Sequence, residues 1–116
     1  MVKVVVCLKR KAGMSSEDFH RHWREQHGPL FMGIPELSRN VKRYVQSHSI
    51  EGPLPGFGGE SAFDGFAEMW FDSLDDVEKT FANPRYLDTI RPDEMKFLDL
   101  HKCRVSIVEE TVMHPE

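Results

Sequence analysis

The sequence predicts an α+β fold, a four-stranded antiparallel sheet carrying helices on one face. Two patterns point to it. Segments rich in β-branched and aromatic residues near both ends and in the middle of the chain have strand character. Two other segments have helical spacing, and each opens with a Ser-x-x-Asp signal, at Ser15–Asp18 and Ser73–Asp76. The resulting order is strand, helix, strand, strand, helix, strand, the ferredoxin-like split βαβ arrangement. With 116 residues, the chain is long enough for one such domain, spanning 1–116.

The first strand covers Met1 to Lys9. Val2, Val4, Val6 and Leu8 share one face, and Val5 and Cys7 the other, which marks a strand covered on both sides. After a turn at Ala12-Gly13-Met14, a helix begins at Ser15, with Phe19, Trp23 and Leu30 near one stripe. Gly28-Pro29 is expected to end this helix, leaving His27 as its last residue. Val41 to Ile50 reads as the second strand and Phe63 to Phe71 as the third. The Gly- and Pro-rich stretch from Glu51 to Ala62 reads as a flexible hairpin loop between them. Leu74, Val77 and Phe81 define a second helix ending near Ala82, broken by Asn83-Pro84. A short helix over Asp93 to Leu98 buries Met95 and Leu98, and Lys102 to Met113 is the last strand.

A sheet of this kind has helices on one face only. Apolar side chains on both faces of the first strand therefore call for a partner, most simply a homodimer in which two sheets pack face to face. The balance of 40% apolar and 29% charged residues is that of a folded globular domain. A formal net charge of -4 disfavours a nucleic-acid partner, and no apolar run is long enough to cross a membrane. The first residues lack the pattern of a signal peptide, so a cytoplasmic location is expected. Cys7 and Cys103 read as reduced core thiols.

His27 is the first candidate for chemistry. At a helix C-terminus the dipole favours its cation while burial opposes it, and opposed effects of this kind bring an acid/base group near neutral pH. The competing structural role is a helix-capping histidine. Asp64 and Glu68 are next: four residues apart on a strand, they share a face with Phe66 and Trp70. A carboxylate between aromatics is desolvated and its pKa rises, which suits a general acid or base. The competing role is an ion pair with Lys42, Arg43 or Arg104. Trp23, Phe66, Trp70 and Tyr44 are the candidates to line a substrate pocket, with Tyr86 as a further aromatic. His20 and His22 do not stand at the four-residue step from His27 that places two metal ligands on one helix face. No metal site is expected, and His20 and His22 read as solvated. His48 and His101 receive no role. The Gly56–Gly59 stretch lacks the following lysine and helix start of a phosphate cradle, and no dinucleotide fingerprint occurs, so no cofactor is expected.

Three stretches carry a resemblance. Phe19-His20-Arg21-His22-Trp23-Arg24-Glu25-Gln26-His27-Gly28-Pro29-Leu30 joins an aromatic helix to a closing His-Gly-Pro. Asp64-Gly65-Phe66-Ala67-Glu68-Met69-Trp70-Phe71 precedes Ser73-Leu74, and Asp93-Glu94 with Phe97-Leu98-Asp99 precedes a strand carrying Glu109-Glu110. In this order the chain resembles the EthD family over nearly its whole length. The resemblance implies a dimeric α/β barrel, a fold shared with polyketide cyclases, muconolactone isomerases, cofactor-free monooxygenases and haem-handling proteins. EthD-like members themselves include lactone isomerases and fungal dehydratases.

Together these point to a cofactor-independent isomerase, cyclase or dehydratase acting on a small oxygenated ring or polyketide-like compound. His27 would move the proton, with Glu68 and Asp64 assisting. The alternatives are a non-catalytic ligand-binding or accessory protein of a degradation pathway, and an oxygenase of the cofactor-free or haem-using kind.

Overall fold

A computed structural model describes residues 1–50, 54–59 and 61–115. The four strands are β1 (Val2–Leu8), β2 (Arg43–His48), β3 (Gly65–Phe71) and β4 (Arg104–Val108). They form one sheet in the order β2-β3-β1-β4, and every pairing is antiparallel. This is the predicted α+β, ferredoxin-like topology. β2 and β4 are shorter than expected, and Val112 and Met113 lie beyond the last strand, exposed. Of the loop predicted over residues 51–62, Glu51, Gly52, Pro53 and Glu60 lie outside the described residues.

The faces follow from strand alternation. In β3, Gly65, Ala67, Met69 and Phe71 are buried under the helices, while Phe66, Glu68 and Trp70 point to the opposite, open face. Val4 and Leu8 of β1 join the buried set. Lys3 pairs with Trp70, and Val5 with Glu68, across the open face.

The helical layer departs from the expectation at one decisive place. Ser15 caps α1 (Ser16–His22) by accepting the Asp18 amide at 3.1 Å, as its spacing predicts. The helix does not stop at Gly28-Pro29. It passes through a π-turn at Trp23–His27 and continues as α2 (Gly28–Met32). The Gly28 amide reaches back five residues to the Trp23 carbonyl, and Gly28 itself is helical at φ -57° and ψ -53°. Proline is tolerated because it falls at the start of the new helical register, where its missing N–H breaks no bond. The extra residue in the turn also shifts the phase of the stripe. Phe19, Trp23 and Phe31 are fully buried, and Leu30 only partly.

A short α3 (Pro35–Ser38) leads into β2. Ser73 caps α4 (Leu74–Phe81) at the Asp76 amide, at 3.2 Å. Leu74, expected inside, is exposed, and Thr80 is buried in its stead, donating to the Leu37 carbonyl at 2.9 Å. A second π-turn at Tyr86–Ile90 enters α5 (Arg91–Phe97), and a short 3-10 turn at Leu100–Lys102 precedes β4. α5 buries Asp93, Glu94 and Phe97, with Leu98 after it, whereas Met95 is exposed. No helix among the described residues is long and apolar enough to cross a membrane.

Two glycines are set by close approach. A Cβ on Gly65 would lie 2.4 Å from the Trp23 ring and 3.0 Å from the Ser47 carbonyl of β2. A Cβ on Gly28 would lie 2.7 Å from the Gln46 side-chain nitrogen. Helix propensity alone would favour alanine at Gly28 by about 1 kcal/mol, so Gln46 is what opposes it. Trp23 is a fully buried core residue with little room to yield. Gly65→Ala should therefore destabilise the fold by about 1–3 kcal/mol, read as a lower urea midpoint at unchanged m-value.

Candidate active site

α1, the first π-turn and α5 bring together a buried acid/base cluster. His27 Nδ1 lies 2.7 Å from Asp93 Oδ2, and His22 Nε2 lies 3.1 Å from each Asp93 oxygen. His27 and Asp93 are both buried. The Phe97 ring packs against both imidazoles, with centroids 4.8 Å from His22 and 4.9 Å from His27. Burial pushes Asp93 up, but the hydrogen bonds from His27 and His22 outweigh it and hold the carboxyl below its usual range. Burial dominates at His27 and pushes it below 6.5, against the opposing pull of Asp93. An ionised carboxylate only accepts, so the neutral His27 ring carries its hydrogen on Nδ1. Nε2 is then the free, basic nitrogen. It has no protein partner among the described residues, yet it is not sealed from solvent-sized space.

The space beside His27 is a cavity of about 50 Å³ lined by Trp23, Phe31, Tyr44, Ala67, Met69, Tyr86, Glu94 and Phe97, among others. Val6, Leu8, Phe81, Tyr86, Glu94 and Leu98 also line a wider groove of about 540 Å³ between β1, β4 and the second helical segment. The groove is predominantly apolar, with Arg91 and Arg104 among its few polar residues. Glu94 stands where groove and cavity meet. It accepts from Arg91 Nε at 2.7 Å and from the Tyr86 hydroxyl. Burial and the neighbouring Glu94 charge push the Tyr86 phenol far above its ordinary value, so its hydrogen stays on that bond.

His27 borders the cavity, in surroundings other than those expected from the sequence. His27 does not end a helix, so no dipole supports its cation; Asp93 takes that part. Glu68 and Asp64 do not join it. Glu68 is on the open face of the sheet and pairs with Lys3 Nζ at 3.1 Å, a strand neighbour other than the three expected. Asp64 falls just before β3 and accepts the Arg10 amide at 2.8 Å, closing the end of β1. Phe66 and Trp70 share the open face, where Trp70 lies between Lys3 and Arg43, 5.0 and 4.8 Å from its ring, and donates to Glu110. Trp23 and Tyr44 do line the cavity, and so does Tyr86. Asp93, the missing partner, was visible only as part of the Asp93-Glu94 motif. Two acidic residues in the first turn of a helix look like dipole complements, and nothing local shows that they are buried.

His20, expected to be solvated, and His48 are instead tied into a hydrogen-bonded chain, whereas His101 and His114 are exposed. His20 Nδ1 lies 2.7 Å from His48 Nδ1, and His48 Nε2 lies 2.9 Å from Gln46 Oε1. Gln46 Nε2 reaches the Trp23 carbonyl at 3.0 Å and the Tyr44 hydroxyl at 3.1 Å. His48 also stacks on Trp23, with centroids 4.4 Å apart. Burial pushes His20 and His48 below 6.5. Cys7 and Cys103 are not bonded to each other, and Cys103 lies on the groove wall.

Comparison with known proteins agrees with this architecture. The chain is 29% identical over 106 residues to a conidial pigment biosynthesis dehydratase EthD of Metarhizium robertsii, covering 84% of this chain and 74% of that protein. It is 25% identical over 123 residues to the decarboxylase nsrE of Aspergillus novofumigatus, covering 97% and 81%. Among solved structures, an EthD family protein from Bacillus halodurans superposes with a TM-score of 0.71 at 22% identity, covering 96% of this chain and 99% of that one. A dimeric protein of ferredoxin-like fold from Bacteroides fragilis gives 0.66 at 15% identity, covering 94% and 95%. The EthD domain model matches residues 11–101, a span that runs from before the Ser15 cap to beyond α5 and contains His27 and Asp93, and the chain therefore belongs to the EthD domain family.

Proposed function

We propose that this chain is an acid/base enzyme that works with its own side chains on a small, largely apolar, oxygenated ring or polyketide-like compound. Dehydration is the reaction favoured by the relative named a dehydratase. One observation carries the reading: a buried histidine, oriented by Asp93, keeps Nε2 free beside an apolar cavity that shares a wall with a larger groove. A filled core would have favoured an accessory protein.

In this mechanism the substrate enters along the groove, and its carbonyl-bearing end reaches the cavity. Neutral His27 takes a proton from carbon next to the carbonyl through Nε2, and the electron pair moves into an enolate. The resulting imidazolium is stabilised by Asp93. The enolate then expels the β-hydroxyl, which takes the proton from His27 and departs as water. Trp23, Tyr44 and Phe31 hold the substrate and exclude water. Asp93 takes the part first assigned to Glu68 and Asp64, which serve the sheet instead. The relative named a decarboxylase favours a second reading on the same residues. There, neutral His27 takes the proton of the substrate's carboxylic acid, loss of carbon dioxide generates the enolate, and the imidazolium returns that proton to carbon.

The open sheet face is assigned to a second copy of the chain. Val5, Cys7, Phe66 and Trp70 give it an apolar centre, ringed by Lys3, Arg43, Glu68 and Glu110. Light scattering should give twice the monomer mass. Phe66→Glu, which sets a second carboxylate beside Glu68, should give the monomer. A monomeric wild type would overturn the assignment.

Turnover can be read with a panel of aromatic β-hydroxy ketones, through the absorbance of the conjugated product. His27→Ala should lower kcat/KM by about 10²–10⁴-fold, and unchanged turnover in that variant would remove His27 as proton carrier. The pH profile has a definite sign. The base must be neutral, and burial holds its pKa below 6.5, so kcat/KM should stay level through neutrality and fall on the acid side, below pH 6.5. In Asp93→Asn an amide that can donate as well as accept replaces the carboxylate, so the Nδ1–H tautomer of His27 is no longer fixed, and kcat should fall under conditions where circular dichroism shows the variant folded.

A further inference from the structure

We propose that Gln46 is a positioning residue that makes Tyr44 an obligatory hydrogen-bond donor into the cavity, with Gly28 supplying the space that Gln46 needs. The hydrogen bonds have only one consistent direction. The Trp23 carbonyl can only accept, so the Gln46 atom 3.0 Å from it is the amide nitrogen. That same NH₂ group lies 3.1 Å from the Tyr44 hydroxyl, and an amide nitrogen only donates. The Tyr44 oxygen is therefore an acceptor in this bond, and its own hydrogen must go elsewhere.

The other end of the amide fixes the next residue. Gln46 Oε1 accepts from His48, so His48 carries its hydrogen on Nε2. Its Nδ1 then accepts from Nδ1–H of His20 at 2.7 Å. The chain His20, His48, Gln46, Tyr44 thus delivers hydrogens in one direction, toward the cavity. No protein acceptor meets the Tyr44 hydroxyl hydrogen among the described residues, and Tyr44 lines the cavity beside His27. Tyr86, on the same cavity, has its hydrogen committed to Glu94 and cannot act in this way.

Gly28 belongs to this device. The π-turn brings its Cα against Gln46, where a Cβ would fall 2.7 Å from Nε2. Glycine there serves the orientation of Gln46, since its φ of -57° needs no glycine. Resting on the acid/base reading of this cavity, the substrate group facing Tyr44 is a carbonyl oxygen that gains negative charge as His27 removes the proton.

The hydrogen-bond direction can be tested without a ligand. Imidazole ¹⁵N spectra of the wild type should show His48 with a protonated Nε2 and a bare Nδ1, and His20 with a protonated Nδ1. His48 protonated on Nδ1 alone would overturn the proposal. Donation into the cavity is read with 2-naphthol, whose fluorescence separates naphthol from naphtholate. The wild type should bind it and favour the ionised form. Tyr44→Phe should weaken binding about tenfold, the loss of one hydrogen bond to a charged group. Gly28→Ala, a helix-favouring change that displaces the Gln46 amide, should shift the bound probe toward naphthol and disturb the His48 signals. Equal binding and ionisation in wild type, Tyr44→Phe and Gly28→Ala would sink the idea. If the series holds while His27→Ala retains turnover, the acid/base reading fails and the Tyr44 assignment stands. A wild type that takes up no naphthol at its solubility limit overturns both.

Discussion

The Asp93 carboxylate is the constraint on which the rest of the helical layer depends. Buried on α5, it must find hydrogen-bond donors, and it finds them on the first helical segment, in His22 and His27. These two residues are five apart, a step that a regular α-helix does not bring to one point. The π-turn between them supplies the extra residue and lets both imidazoles meet one carboxylate. The same turn allows Pro29 to follow without breaking the segment, moves Phe31 into the core, and sets Gly28 against β2. A charge of this kind adds little net stability, because desolvation offsets most of the attraction. Its worth lies in fixing one tautomer of His27 and one orientation of its ring.

Much of this was legible in the sequence. The strand order, the Ser15 and Ser73 caps and the central place of β1 follow from local patterns with local causes. The π-turn was not, because Gly28-Pro29 is also what a helix stop looks like, and the carboxylate that favours continuation is far away at Asp93. Strand parity was read correctly for Phe66, Glu68 and Trp70, which do share a face. What parity cannot give is which face the helices cover. The aromatics suggested the buried side, yet Gly65, Ala67 and Met69 hold it, because the Trp23 ring needs the space that glycine leaves. Two aromatics and a carboxylate on the far side fit a face that another sheet covers.

Leu74 and Met95 illustrate the same limit on a smaller scale. Each sits at a helical interval from a buried residue, but short helices turn only a narrow stripe inward. Thr80 and Phe97 occupy those stripes through contacts with α3 and with the paired imidazoles. Periodicity gives the set of candidates, and packing against distant elements chooses among them.

On the acid/base reading proposed above, the polar groups of the cavity define the molecule it would receive. Glu94 is satisfied by Arg91 and Tyr86, Asp93 by two histidines, and Gln46 by His48, Trp23 and Tyr44. A buried polar group without a partner is costly, so the valences left open carry information. Among the described residues two border the cavity: the lone pair on His27 Nε2 and, on the proposal above, the hydrogen on the Tyr44 hydroxyl. One accepts a proton and the other donates a hydrogen bond, on walls that are otherwise apolar. A molecule that satisfies both must offer a removable hydrogen and, near it, an oxygen able to take negative charge. A carbonyl with an acidic neighbouring carbon does so, and it does so better in the enolate than in the ground state, which is the condition for catalysis.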